Sequence, residues 1–443
     1  MYSASIAITI LFATFVILVL LRVPIAFTLV ISAIAAAVYM RLPIAVLAQQ
    51  MKTGVQSMSL MTIPLFIVAG EIMSEGGISQ RLVALANAMF GRLRGGLAMV
   101  DVVACFFFGG ITGSSVADVS AIGSIMIPMM KKKGYDDDYS VGITISASVQ
   151  GVLVPPSHNM LLYSIAAGTV AGGASVGALF LAGIVPGVTL GITLMIIAYI
   201  IALIRKYPRG EKSSFKAVMI ALKDSILGLL TAVIIMVGIL SGVFTAAESS
   251  AVAVVYAFII TFFVYREVSL PHMKKVLFKA TKTLAIVMSL IATASAFGYI
   301  LATLQIPQRI TTVLLSISHN KIVVLLMVNL LLLVLGCIMD MAPLILICTP
   351  ILLPALAGYP GWAGFGVTPV HFGVILMLNL GIGLLTPPVG SALYVGCAIG
   401  GIKIEKIMKG MIPFYLTMFV VLMLITYLPD ISTFMPRLFG FRA

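Results

Sequence analysis

The stretch GGITGSSVADVSAIGSIMIPMM (residues 109–130) continues as KKKGYDDDYS (131–140) and, a few residues on, as GVLVPPSHNMLLY (151–163). It decides how this chain folds. A break rich in Gly, Ser and Thr, carrying one carboxylate, sits inside sequence apolar enough to lie in a bilayer. A second break, Val154-Pro155-Pro156-Ser157, falls in the middle of the next apolar segment. Backbone that leaves a helix at membrane depth must be buried in protein or line a polar cavity. Two such breaks close together point to a solute or ion site, not to lipid anchorage alone.

Composition agrees. Of 443 residues, 61% are hydrophobic and 9% charged, with a mean hydropathy of +1.20. Soluble domains carry about 25% charged residues, so most of this chain belongs in a membrane, with room for roughly ten to twelve apolar spans. The net charge of +13 would suggest nucleic acid in a soluble protein. Here Lys and Arg sit in short loops between apolar segments, where they act as topology signals and contacts to anionic lipids. Cys105, Cys337, Cys348 and Cys397 lie in apolar runs without a CxxC pair, which argues against a disulfide or metal framework. Ile6–Leu21 reads as a first transmembrane helix and not as a removed signal peptide.

Outward from the first break, Leu97–Phe108 leads in and Val116–Met130 leads out, with basic residues at both ends. Two half-length arms around a Gly/Ser tip describe a re-entrant hairpin; two tightly turned full spans are the alternative. Tyr139 onward is a span interrupted at Pro155-Pro156. Leu179–Ile204 returns to Arg205–Arg209, and the basic amphipathic stretch to Lys223 reads as an interfacial helix. The second half repeats the scheme. Ile322–Ala357 breaks at Gly336–Asp340, and Phe372–Gly400 breaks at Thr386-Pro387-Pro388. The positive-inside rule puts Lys131–Lys133, Arg205–Lys223, Arg266–Lys282 and Lys403–Lys409 in the cytoplasm. The first hairpin then opens from the cytoplasm and the second from outside. The fold class is an all-α polytopic membrane protein with an inverted repeat, two re-entrant hairpins and two Pro-Pro-broken helices. Secondary transporters carry a midplane site in this arrangement. The expected division is 1–90 scaffold helices and entry to the first repeat, 91–205 first repeat, 206–320 amphipathic segment and scaffold helices, and 321–443 second repeat.

A helix broken in the membrane frees C=O groups on one half and N–H groups on the other. Carbonyls with Ser or Thr hydroxyls make an oxygen cage for a hard cation such as Na⁺, whereas helix N-termini favour a carboxylate. Gly109–Ser115 facing Gly151–Val154 would form one cage, and Gly336 facing Gly383–Thr386 a second. Asp118 and Asp340 are the carboxylates nearest the breaks. An intramembrane carboxylate is functional by default, with a helix cap or a bond to a neighbouring hydroxyl as the structural alternative. Glu71 reads as a helix-end residue, Glu248 as a cap, and Asp136–Asp138 as a solvated turn with an N-cap. His158, with Ser157 and Asn159, is a candidate solute contact. No Walker A, HExxH or GxSxG in a strand–turn–helix context appears, so an ion gradient is the economical source of energy and no enzyme activity is expected.

GGITGSSVADVSAIGSIMIPMMKKKGYDDDYS, GVLVPPSHNMLLY, FLAGIVPG, TAAESSAVAVVYA, GCIMDMAPLILICTPILLP and HFGVILMLNLGIGLLTPPVG resemble the large membrane subunit (M, or DctM-type) of tripartite ATP-independent periplasmic (TRAP) transporters, over nearly the whole chain. The resemblance implies an elevator-type fold in a bacterial inner membrane, with Na⁺-driven uptake of an organic acid. It also implies two partners, a small membrane subunit (Q), here expected as a separate chain, and a periplasmic binding protein (P). By position, the first sodium cage would use Thr112, Ser115, Gly151 and Val154, and the second Gly336, Gly383, Thr386 and Val389. The solute would lie near Ser115, Ser157, His158 and Asp340. The polar pair His158-Asn159 after PPS suggests a sugar acid, sialic acid first, with a C4-dicarboxylate next. A stand-alone Na⁺/carboxylate symporter without a binding protein is the alternative.

Overall fold

The computed structural model describes residues 3–56, 58–168, 173–210, 214–357, 365–388 and 390–441. The chain forms helices almost throughout. Among the described residues, six are long and apolar enough to cross a membrane: Val176–Ile204, Phe215–Leu240, Ala246–Val264, Pro271–Thr303, Lys321–Ile338 and Ile404–Tyr427. The remaining apolar sequence is divided among shorter helices. This is why a count of span lengths and a count of long helices differ: several expected spans are built as two half-length pieces.

Both hairpins are present. Gly96–Thr112 and Ser115–Lys132 form hairpin 1; Lys321–Ile338 and Met341–Ala357 form hairpin 2. At the first tip the chain reverses through Gly113, whose φ of +64° favours glycine, and its N–H donates to the Gly109 carbonyl at 2.8 Å. Ser114 then caps the outgoing arm, its Oγ accepting from the Ala117 N–H at 3.4 Å. Broken helix 1 is Asp137–Ala147 with the short turn Gln150–Leu153, a gap, and then His158–Gly168; broken helix 2 is Pro369–Gly383, a gap, and Ser391–Gly400. Proline supplies no N–H, so each Pro-Pro pair ends the ladder there.

The elements pack as two groups. One joins the N-terminal helices Ala4–Leu20, Ile25–Tyr39, Ile44–Val55 and Thr62–Glu75 to Phe215–Leu240, Ala246–Ile259 and the 34-residue Leu270–Thr303. The other joins the hairpins and broken helices to Val176–Ile204 and Ile404–Tyr427. The base of the second group is pinned by polar contacts. Arg205 donates to Asp136 and Asp138 at 2.9 Å each, while the Tyr207 ring packs at a tilt against Tyr135 and Tyr139 with centroids 4.5 and 5.0 Å away. Asp136 occupies the N-cap position of its helix as expected, but its side chain makes no cap bond and is drawn to Arg205 and Tyr207 instead. Glu248 does cap: Thr245 and Glu248 form a reciprocal capping box. Glu71 sits one turn before the end of Thr62–Glu75 and pairs with Lys279 at 2.9 Å.

Three features differ from the sequence reading. The stretch to Lys223 is not a separate interfacial helix; from Phe215 it is the first turns of one helix that runs to Leu240. No Gly or Pro interrupts the apolar and basic residues before Gly228, so propagation is favourable once the helix has nucleated. Two amphipathic helices, Ile306–Ile317 and Asp430–Leu438, were not anticipated, because each is short and only one face is apolar. Ile306–Ile317 packs on the second arm of hairpin 2, and Asp430–Leu438 packs on Val176–Ile204.

Candidate functional site

Four helices begin at the same place. The outgoing arms of both hairpins start at Ser115 and Met341, and the second halves of both broken helices start at His158 and Ser391. Residues from all four starts line one cavity of about 360 Å³: Ser114 and Ser115, Asp340 and Met341, His158 and Asn159, and Ser391. The opposite wall comes from Thr62–Glu75 and Leu270–Thr303, through Gly70, Glu71, Lys279 and Leu290. Unpaired N–H groups at four helix starts give the cavity a positive bias that suits an anion. Lys279 is the single Lys or Arg lining it among the described residues.

The Asp340 carboxylate faces this cavity, held by the Met341 backbone N–H and by a long contact from Ser391 Oγ at 3.5 Å. His158 lines the cavity too, its ring against the Thr112 backbone. Asn159 is half committed, since its Nδ2 donates to the Gly113 carbonyl at 3.3 Å and so ties the break to the hairpin tip. Ser157 is fully buried behind that tip, its Cα where a Gly113 side chain would be, and it is not on the cavity wall.

The C-terminal ends of the incoming segments supply oxygens behind the cavity. Thr112 Oγ1 donates to Asp118 Oδ1 at 2.5 Å. Ser115 Oγ lies 2.6 Å from Ser148 Oγ, and Ser148 in turn donates to the Ile145 carbonyl at 2.7 Å, so Ser115 is the donor of the pair. With both hydroxyl hydrogens turned into the protein, Ser115 and Thr112 each keep lone-pair capacity, part of that of Thr112 being taken by the Ser114 N–H at 3.4 Å. Gly151 and Gly109 cross at van der Waals distance, and a Cβ on Gly109 would come within 2.3 Å of the Gly151 Cα. Val154, the next residue of this set, is buried and ends the short helix with an extended ψ of 128° that frees its carbonyl.

The second set has the same plan. Gly336 and Gly383 are in backbone contact, and Thr386 Oγ1 donates to the Ile382 carbonyl at 2.9 Å. Val389 lies outside the described residues. Tyr415 was not picked out by sequence reasoning; from the neighbouring helix its hydroxyl donates to the Leu385 carbonyl within the break. Nothing in the sequence marks it, because a tyrosine in an apolar run looks like core. Asp101 was also missed, although the rule that selected Asp118 applies to it. It is fully buried in the first arm of hairpin 1 and accepts from Thr144. A further buried polar chain links Asn379 to Asn329 at 2.8 Å and Asn329 to Thr426 at 3.1 Å, tying broken helix 2 to hairpin 2 and to Ile404–Tyr427.

Apolar helices, two helical hairpins and two interrupted helices around one polar cavity define a multi-pass membrane transport protein. Residues 12–431 match the family described as the tripartite ATP-independent periplasmic transporter, DctM component, and the chain belongs to that family. Its relatives include the uncharacterized protein YgiK of Salmonella typhimurium, 40% identical over 98% of both chains. The isethionate TRAP transporter permease protein DctMQ of Oleidesulfovibrio alaskensis is 39% identical over 96% of this chain and 66% of its own. The sialic acid TRAP transporter large permease protein SiaM of Vibrio cholerae is 36% identical over 88% of this chain and 89% of its own. In fold the chain resembles the Alcanivorax borkumensis YdaH transporter, with a TM-score of 0.57 at 12% identity, covering 83% of this chain and 84% of that one.

Proposed function

We propose that this chain is the large permease subunit of a Na⁺-coupled importer in a bacterial inner membrane. It takes up an organic acid handed over by a soluble periplasmic protein, with a small membrane subunit as its permanent partner. The observation that carries the reading is the convergence of four helix N-termini on one cavity, with Gly109 against Gly151 and Gly336 against Gly383 in close backbone contact behind it. The N-termini favour the acid and the carbonyl ends favour the cation, so one site region suits both partners of a symport. Thr112, Ser115, Gly151 and Val154 would hold one sodium; Gly336, Gly383, Thr386 and Val389 would hold the other.

Asp340 bears on the solute. A carboxylate facing an anion site repels a bare dicarboxylate but accepts hydrogen bonds from hydroxyl or amide groups. This favours a hydroxylated sugar acid, sialic acid first, over a C4-dicarboxylate. SiaM supports that choice, although the DctMQ relative is named for isethionate. A cavity of about 360 Å³ falls in the usual range for small solutes, roughly 300–1,000 Å³.

An elevator motion is supported by the long helix Leu270–Thr303, which serves two cavities. Its half up to Leu290 lines the solute cavity; its half from Ile291 to Ala302 lines a wider one of about 1120 Å³, which also reaches Thr245–Glu248. By the positive-inside rule the Lys279 end is cytoplasmic, so the solute cavity opens inward here. Sliding the hairpins and broken helices along this helix would move the tips toward the outer cavity. Uptake of labelled sialic acid by proteoliposomes holding this chain and its small subunit tests the reading, with purified binding protein and an inward Na⁺ gradient each present or absent. Uptake that needs both is the expected result. Uptake without binding protein would replace it with a stand-alone symporter, and uptake of succinate alone would overturn the solute.

A further inference from the structure

The two proposed cages share a plan but not a charge. Asp118 is fully buried, eight residues after Gly110. The residue eight after Gly336 is Leu344. Asp118 Oδ1 takes the Thr112 hydroxyl hydrogen at 2.5 Å, while Oδ2 has no hydrogen-bond partner. That free oxygen is wedged between two glycine backbones of the cage: a Cβ on Gly151 would lie 2.1 Å from it and one on Gly109 2.9 Å. No Lys or Arg pairs with it among the described residues. Around the second cage the side chains are neutral: Thr386, Cys337 and Tyr415, the thiol donating to Leu333 and the phenol to Leu385. Asp340, the carboxylate of hairpin 2, faces the solute cavity.

We infer that Asp118 supplies the first cage with a formal negative charge, so that the two sodium sites are unequal. The first is the tighter and more ion-selective, built on a carboxylate; the second binds through neutral oxygens alone. Physical reasons run both ways. A buried carboxylate with an unsatisfied oxygen is costly, and a cation at the cage removes that cost on binding. Glycine at 109 and 151 is what lets the carboxylate reach the cage wall, because any side chain there would occupy its place. Asp118 also orients Thr112, leaving a hydroxyl lone pair toward the ion.

The inference rests on the sodium-coupled reading, and the test separates the two. The chain is purified with its small subunit, and its thermal unfolding midpoint is titrated with NaCl and with LiCl, choline keeping ionic strength constant. Wild type should show a tight and a weak sodium phase. Asp118→Asn keeps the shape and the acceptor for Thr112; it should lose the tight phase, raise half-saturating sodium by about tenfold or more and narrow the preference for Na⁺ over Li⁺. Thr386→Ala should weaken the other phase and leave the tight one. If Asp118→Asn does not accumulate as folded protein, Asp118→Ser fits the same space and carries the same expectation. A variant with wild-type sodium midpoint and wild-type ion preference would overturn the inference while leaving sodium coupling intact. A wild type that sodium neither stabilises nor drives would overturn both.

Discussion

Replacing Gly383 by alanine is the sharpest test of how hairpin 2 and broken helix 2 are joined. An added Cβ would stand 2.6 Å from the Gly336 Cα, 2.8 Å from its carbonyl carbon and 3.1 Å from its oxygen, where ordinary contact begins at 3.4 Å. All three atoms are backbone, so no rotamer change relieves the clash, and the hairpin tip must retreat by most of an ångström. Overpacking of this size costs about 1–3 kcal/mol, equal to roughly 5–150-fold if it falls wholly on sodium binding. Gly298 is the control. It is also helical, but nothing lies within 4 Å of its would-be Cβ, so Gly298→Ala should be neutral or stabilise by about 0.5–1 kcal/mol. The assay is thermal unfolding in detergent with and without sodium, followed by the sodium dependence of uptake. Gly383→Ala should lower the midpoint and raise half-saturating sodium, with Gly298→Ala doing neither. Equal behaviour of the two variants would refute the close-contact reasoning.

Asp340→Ala should abolish uptake of the hydroxylated acid while the protein keeps its wild-type unfolding midpoint, because the side chain faces the cavity and supports little packing; a lost midpoint would reassign it to structure. Tyr415→Phe removes the bond to the Leu385 carbonyl and should cost about 0.5–1.5 kcal/mol, seen as a lower midpoint with a weaker response to sodium. Unchanged sodium response would make Tyr415 a packing residue only. At the base, burial raises the Asp138 pKa, but the Arg205 hydrogen bond and charge outweigh it, and the carboxyl ends below its ordinary 3.8. A depressed carboxyl stabilises the fold above its unfolded value and loses that contribution as pH falls through the folded one. The midpoint gap between wild type and Asp138→Asn should therefore be full at pH 7 and close in acid below about pH 4; a gap that persists there would mean the asparagine acts by packing.

The sequence by itself determined the class, both tips and both breaks. Gly, Pro and Ser inside apolar runs have few explanations at membrane depth, so Gly109–Ser115, Val154–Ser157, Gly336–Asp340 and Thr386–Pro388 could be placed before any coordinates. Gly109–Ser115 could be set against Gly151–Val154 for the same reason, whereas the narrower set Thr112, Ser115, Gly151 and Val154 is what the family resemblance implies. Only the tertiary structure decided which polar groups meet. Ser157 and His158 are adjacent in sequence, yet one is buried behind the tip and the other reaches the cavity, because Ser157 ends the break against Gly113 while His158 opens the helix that borders the cavity. Tyr415 and Leu385 are 30 residues apart, and Asp101 and Thr144 are 43 apart; no periodicity connects them. Lys279 is legible as a topology signal, but its place on the cavity wall depends on how Leu270–Thr303 packs against Thr62–Glu75. Local sequence dictates where a helix must stop; the packing of distant segments dictates what the freed backbone and its neighbours can hold.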